Sequence, residues 1–243
     1  MSEPLSLWDK KAANYARFSP NMSDFEAKFY EALDEFGVSF LDKSVLDVGC
    51  GSGVYSLRIA SSAQEIDCVD GSYAMLEILN EDAQKLGLKN VKTYFNLWDD
   101  FMLKKPYDIA FCTMSPALDD KPSFDKFIKS AKNHVYLGWA SPRSSDVLEP
   151  FFKKYGKKQD KKPAAIRFQE YLKSLDINPK SKLLSEERVA VRSFSQMCEN
   201  ICWHLEISKL EFSHDEVAFE LENRYGKGLI SEKISSLMLL LVF

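Results

Sequence analysis

The sequence predicts an α/β protein, a parallel sheet with helices on both faces. Three observations carry that expectation. Short apolar runs alternate with helical spacings four or five times up to Trp139, the order that builds crossover units. A glycine-rich turn joins the first such run to the helix after it. The chain has 243 residues, 45% of them hydrophobic. That is enough for one sizeable core, so a single domain over residues 1–243 is expected.

The elements follow in order. Ser23–Phe36 carries Phe25, Phe29, Ala32, Leu33 and Phe36 at helical spacing, and Gly37 closes it. Ser44–Val48 is read as a buried strand and Val54–Ala60 as a helix. Glu65–Val69 is a strand, and Ser72–Leu86 is a helix closed by Gly87. Val91–Phe95 and Asp108–Thr113 are strands. Phe124–Asn133 is predicted helical and His134–Trp139 extended. A right-handed crossover is expected at each step.

Beyond Trp139 the pattern loosens into a variable segment over residues 140–230. Val147–Tyr155, Ala164–Leu175, Gln196–Leu205 and Asp215–Asn223 look helical, and Glu187–Phe194 alternates like a strand. The apolar run Ile234–Phe243 is too short to span a bilayer and reads as a buried final strand.

Bulk composition excludes several classes. Lys and Arg number 32 against 36 Asp and Glu, a formal charge of −4. A mildly acidic chain lacks the footprint of a dedicated nucleic-acid binder and has no strong attraction to anionic membranes. No apolar run reaches transmembrane length, and the first residues, MSEPLSLWDKKAANYARF, carry no apolar leader core. The odd count of five cysteines argues against a disulfide framework and for a reducing, cytoplasmic compartment.

The most informative segment is VLDVGCGSG, Val45–Gly53. A strand ends at Val48; Gly49, Gly51 and Gly53 follow at alternate positions, and a helix starts at once. Glycine turns the chain sharply and lets a ligand approach the backbone, while the helix start presents amide hydrogens. The dinucleotide fingerprint G-x-G-x-x-G would need glycine at 54, where this chain has Val54. The next strand ends in Asp70, about 20 residues past the glycines, the distance at which an acid accepts both ribose hydroxyls.

On Asp47, Gly49, Gly51 and Gly53 the chain resembles the class I S-adenosylmethionine-dependent methyltransferases, whose first motif is a strand, an acid and G-x-G-x-G. The resemblance implies a Rossmann-like three-layer sandwich with a mostly parallel seven-stranded sheet and an antiparallel last strand. It implies S-adenosyl-L-methionine as cofactor and S-adenosyl-L-homocysteine as product. Gly49, Cys50 and Gly51 would lie against the methionine part, and Asp70 would hold the ribose. Gly71, Ser72 and Met75 resemble the family's turn into the following helix. In the loop NLWDDF, Asn96–Phe101, Leu97 stands where the family often has an acid. Asp99 is then the candidate for the adenine amino group. Trp98 either covers the ring, lends its amide, or belongs to the core. Trp8, Asp9, Ala12 and Tyr15 match a W-D-x-x-A-x-x-Y helix common in small-molecule methyltransferases. The segment 1–37 would then be a lid that brings Tyr15 to the cofactor; a plain packing helix is the alternative.

The acceptor side is less defined. CTMSPAL, Cys112–Leu118, holds half of the N/D/S-P-P-aromatic motif of amino methyltransferases, with Ala117 and Leu118 departing from it. Met114 is read as cofactor-contacting. Ser115, Pro116, Asp119, Trp139 and Arg143 are candidates for the substrate pocket. His134, His204 and His214 show no local partner that marks a base, so no catalytic residue is assigned. Cys198 and Cys202, four apart, read as packing side chains, because no further ligands complete a metal site. The lysine-rich run FFKKYGKKQDKK ending at Lys162 reads as a solvated loop. The reading is in-line methyl transfer to a small molecule. An RNA or protein methyltransferase, and a non-catalytic cofactor-binding subunit, are the alternatives. Oligomeric state is not legible in the sequence.

Overall fold

The computed structural model describes residues 3–157 and 162–243. Lys158, Gln159, Asp160 and Lys161, part of the lysine-rich run, lie outside the described residues. The chain divides into two compact units. The first holds residues 1–140, 163–184 and 238–243, and the second holds residues 141–162 and 185–237.

The first unit begins with α1 (Glu3–Ala12) and α2 (Asp24–Glu35). Ser23 and Glu26 cap α2 reciprocally, each bonding the other's backbone. Then come β1 (Ser44–Val48), α3 (Ser56–Ala60), β2 (Glu65–Asp70), α4 (Tyr73–Lys85), β3 (Val91–Phe95), β4 (Tyr107–Thr113), α5 (Lys121–Ser130) and β5 (Ala131–Trp139). The strands lie in the order β3-β2-β1-β4-β5 and pair in parallel. The last residues of β8 (Ile230–Val242) pair antiparallel with β5, Val135 opposite Val242 through Trp139 opposite Met238.

Side-chain alternation explains the three layers. Val45, Ile109, Phe111, Val135, Leu137 and Leu240 meet Phe29 and Leu33 of α2, Leu57 of α3 and Leu79 of α4. On the opposite face Leu46, Val48, Ala110, Cys112, Tyr136 and Leu241 meet Phe124 and Phe127 of α5. Phe168 and Leu172, on α7 (Ala164–Ser174), complete that layer.

The second unit contains β6 (Ser144–Ser145), α6 (Leu148–Tyr155), α8 (Phe194–Ile207) and α9 (His214–Tyr225). It also holds part of β7 (Lys180–Arg192) and the first residues of β8. Phe151, Met197, Ile201, Leu205, Val217 and Leu221 form its apolar cluster. Cys202 is buried there and Cys198 packs against it. Ser144 and Ser145 pair antiparallel with Ser235 and Ile234, and β7 also pairs with β8.

Eight strands are present among the described residues where seven were expected, and the extra one is the two-residue β6. The other differences have local causes. α5 starts three residues before Phe124, because Asp120 and Ser123 cap each other there. It stops at Ser130, and Ala131, Lys132 and Asn133, expected in the helix, open β5. β7 starts seven residues early; among Lys180–Arg192 only Leu184 is buried, so the apolar alternation is faint.

The glycine turn after β1 is closed partly by packing. Gly53 has φ +82°, and a Cβ there would lie 2.6 Å from Cγ of Leu79, which is wholly buried. Gly53→Ala is therefore expected to destabilise the first unit by about 2–4 kcal/mol, combining left-handed backbone cost with overpacking. A lowered urea midpoint measures it; an unchanged midpoint would show that Leu79 yields freely.

Candidate functional site

The site is built at the carboxyl ends of β1 and β2, all within the first unit. The amides of Gly49 and Cys50 both donate to the Val69 carbonyl, at 2.7 and 3.2 Å. The Gly51 amide donates to Asp70 Oδ2 at 2.8 Å, and the Ser72 amide donates to Oδ1 at 2.8 Å. Asp70 thus ties the glycine turn to the start of α4. Burial raises its pKa, backbone amides led by those of Gly51 and Ser72 oppose the rise, and the charge of Asp9 adds to it.

The three glycines differ. A Cβ on Gly49 would lie 1.8 Å from Ser115 Oγ, and Gly53 is closed by Leu79. Gly51, at φ +54°, is open: the nearest atom to a Cβ there is Cε1 of Tyr15, 4.0 Å away. Of the three, this is where a ligand can come against the backbone.

Asp47 is 2% exposed. Its Oδ2 accepts a bond from Ser56 Oγ at 2.5 Å, and Oδ1 has no protein partner. Burial pushes its pKa up to about 7; Ser56 opposes this and the charge of Asp70 adds to it. The Cys50 thiol donates to the Gly51 carbonyl at 3.7 Å, and burial holds it well above the ordinary range.

The N-terminal segment docks on this turn. Asp9 Oδ1 accepts the Ser72 hydroxyl at 2.6 Å and the Ala74 amide at 3.1 Å. Ser52 Oγ donates to the Ala16 carbonyl at 2.5 Å, and Arg17 bonds Asp82 and Glu81. Tyr15 is 40% exposed and meets Trp8 edge to face, ring centres 6.3 Å apart. Met75 is buried on α4, while Gly71 is half-buried in the turn before it.

Of the readings left open for Trp98, its ring takes the core one. It is buried, stacks near Phe101, and its Nε1 donates to the Ser123 carbonyl at 3.1 Å. An indole with its N–H satisfied inside an apolar cluster gains more from burial than from an open face. The Trp98 carbonyl accepts from Lys126, as does that of Asp99, whose side chain is exposed. Sequence reasoning did not single out Tyr73 and Phe95. Both are exposed, their rings 5.8 Å apart edge to face, and Phe95 stands opposite Asp70 in the strand register.

On the acceptor side, Met114 has φ +49°, a strained conformation for a residue with a side chain. Its amide donates to the Leu137 carbonyl at 2.7 Å, and Ser115 follows over Gly49. Pro116 is exposed and Trp139 half-buried. Asp119 pairs with Arg167. Arg143 belongs to the second unit. His134 is buried against Phe243, and burial lowers its pKa to about 4. Among the described residues no cluster of side chains could hold a metal ion, and no helix is long and apolar enough to cross a membrane.

A family model described as a methyltransferase domain matches residues 41–203, and the chain belongs to that family. An uncharacterized protein of Haemophilus influenzae is 29% identical over 136 residues, 55% of this chain and 50% of its own length. Ribosomal protein L11 methyltransferase of Prochlorococcus marinus is 34% identical over 46% of this chain and 39% of its length. Ribosomal RNA small subunit methyltransferase G of Clostridium perfringens is 39% identical over 44% and 47%. The chain thus spans about half or less of these relatives. In fold it is similar to the YcgJ protein of Bacillus subtilis, with TM-score 0.52, 12% identity, and coverage of 88% of this chain and 98% of that one.

Asp47 supplies a pH test. In the fold it holds its proton up to pH about 7, and in the unfolded chain only to the ordinary carboxylate range. Folding takes up a proton between those values, so this contribution to stability falls as pH rises from about 4 to about 7. Asp47→Asn removes it. Relative to wild type the variant should gain stability across that window, by at most about 1.4 kcal/mol per pH unit. Urea titrations at pH 5 and 8 measure the gap; a gap that does not move with pH refutes the raised pKa.

Proposed function

We propose that this protein transfers a methyl group from S-adenosylmethionine to a small-molecule acceptor by in-line displacement, leaving S-adenosylhomocysteine. The observation that carries the proposal is the open Gly51, held at positive φ with its amide fixed by Asp70. The chemistry of the residues suits the cofactor. Among the described residues Asp47 and Asp70 form no ion pair with a cation, and Asp47 Oδ1 is buried without a protein partner, a setting that favours a ligand with positive charge.

Each Asp70 oxygen accepts one backbone amide from this turn and retains a lone pair for a ribose hydroxyl. Tyr73 and Phe95 supply apolar surface for adenine. When bound, the sulfonium supplies a methyl group already activated for displacement. The chain then has to hold the acceptor in line and exclude water. Tyr15, anchored through Asp9 and Ser52, is placed to close over Gly51. Met114 and Ser115 turn the chain beside Gly49 to form the acceptor wall.

A small acceptor is favoured over RNA by the formal charge of −4, although two relatives bear the names of ribosomal protein and ribosomal RNA methyltransferases. The five cysteines are free thiols, which suits a reducing cytoplasm.

Calorimetric titration with S-adenosylhomocysteine tests the cofactor. Saturable binding is expected, weakened at least about tenfold by Asp70→Ala in a variant that stays folded. Gly51→Ala should weaken binding too, yet cost only about 1 kcal/mol of stability, since only backbone conformation opposes it. An absence of heat at millimolar ligand refutes the cofactor assignment. Tyr15→Ala should weaken S-adenosylmethionine binding about 2- to 30-fold, the range of a cation–aromatic contact; unchanged affinity removes Tyr15 from the site. Incubating cell extract with methyl-labelled S-adenosylmethionine locates the acceptor. Label in the low-molecular-weight fraction is expected, and label confined to RNA or protein overturns the small-molecule reading.

A further inference from the structure

Tyr136 carries a polar group that neither the packing of the sheet nor the cofactor turn uses. It lies in β5 at 2% exposure, and its ring meets Phe168 of α7 edge to face, centres 5.0 Å apart. Among the described residues its hydroxyl has no hydrogen-bond partner. Buried tyrosine hydroxyls usually find one. Tyr107, in the same apolar cluster, shows the usual case: its hydroxyl donates to Asp67 Oδ2 at 2.6 Å.

The hydroxyl has a defined place. It lies over Gly138, two residues further along β5 and on the same face. A Cβ at Gly138 would overlap Tyr136 Oη and lie 2.8 Å from Cζ. Gly138 is buried and has no positive φ, so glycine there serves space and not backbone freedom. A glycine inside a strand weakens it, and such a residue often marks a close approach by a ligand or by other atoms. Here it makes room for a hydroxyl toward the carboxyl end of β5, the side of the sheet on which ligands bind. Tyr136 stands opposite Cys112, and the Met114 amide donates to the Leu137 carbonyl at 2.7 Å. Oη over Gly138 is thus level with Met114, where the chain turns to Ser115. Ala117 and Leu118, just beyond, pack in the cluster that holds Tyr136.

We infer that the Tyr136 hydroxyl binds the polar group of the methyl acceptor, and that the acceptor is a largely apolar molecule bearing a hydroxyl or a neutral amine. The inference rests on the methyl-transfer reading and extends it to the acceptor side. The surroundings set the class. Cys112, Leu118 and Phe168 are wholly buried and apolar. A charged group among them would lose its hydration and gain one neutral hydroxyl in return. Asp119 and Arg167, the charges of this region, pair with each other. Burial holds the Tyr136 phenol protonated beyond its ordinary range, so it orients the acceptor and takes no proton from it.

The probe is methyl-labelled S-adenosylmethionine with the low-molecular-weight fraction of cell extract, whose dilution gives an apparent KM. Tyr136→Phe should lower transfer into dilute fraction at least about tenfold, the loss of one hydrogen bond with its partner left unpaired, and the loss should fall on KM. Its affinity for S-adenosylhomocysteine should equal that of the wild type. Its urea midpoint should stay or rise, because the hydroxyl removed has no partner in the free protein. Tyr107→Phe should do the reverse, lowering the midpoint and leaving transfer by the folded enzyme unchanged. Equal transfer by Tyr136→Phe and wild type, a lowered midpoint in Tyr136→Phe, or a matching loss of cofactor affinity overturns the contact while methyl transfer stands. A wild type that puts no label into the fraction overturns the small-molecule reading, and this inference with it.

Discussion

The site depends on one carboxylate. Asp70 ends β2, and its two oxygens receive the amides of Gly51 and Ser72. One side chain therefore fixes both the turn that leaves β1 and the turn that enters α4. Without it, two inward-facing amides would lack acceptors in a half-buried turn, each at a cost of about 1–3 kcal/mol. The arrangement also explains why the chain uses an acid there. A carboxylate offers one oxygen to each amide, whereas an asparagine there would set its NH2 against one of them.

Around that anchor, glycine serves three different ends. At Gly49 its missing Cβ makes room for Ser115, at Gly53 for Leu79, and at Gly51 it leaves space. The first two bring the chain after β4 and the helix α4 up against the turn. The third is what this close packing leaves exposed. Met114 belongs to the same economy of space: its positive φ lets the chain leave β4 and place Ser115 over Gly49. Backbone strain of this kind persists only where neighbours over-determine it, and the Met114 amide is held by Leu137 of β5.

The alternating strands and helices up to Asp70 and α4 were legible to within about two residues because apolar runs and glycine stops coincide there. The start of α5 was not, because its capping pair, Asp120 and Ser123, precedes the first apolar residue. The early part of β8 was hidden too: Ser231, Lys233 and Ser235 alternate with its buried side chains, which reads as a loop beside the apolar run that follows. For the site, the acid and glycines were legible because their spacing is local. Trp98 was ambiguous, since an aromatic in a loop reads equally as lid or core until Ser123 and Phe101 are seen beside it. Asp9 had a motif but no mechanism: its bonds to Ser72 and Ala74 span more than sixty positions. Tyr73 and Phe95 are brought together only by the pairing of β2 with β3 and by the start of α4.

The same docking of the N-terminal segment gives the turn its electrostatic character. Asp9 satisfies a hydroxyl and an amide at the start of α4, yet it brings a second carboxylate near Asp70 and raises its pKa. Asp70 in turn raises that of Asp47. Three acids are thus gathered about one open glycine. A cap of neutral chemistry, such as serine, would hold the segment down without that repulsion. The acid therefore costs the free protein some stability, and a cation entering beside Gly51 would recover it. Asp9 thus does two things at once: it anchors the N-terminal segment on the start of α4, and it adds negative charge beside Asp70.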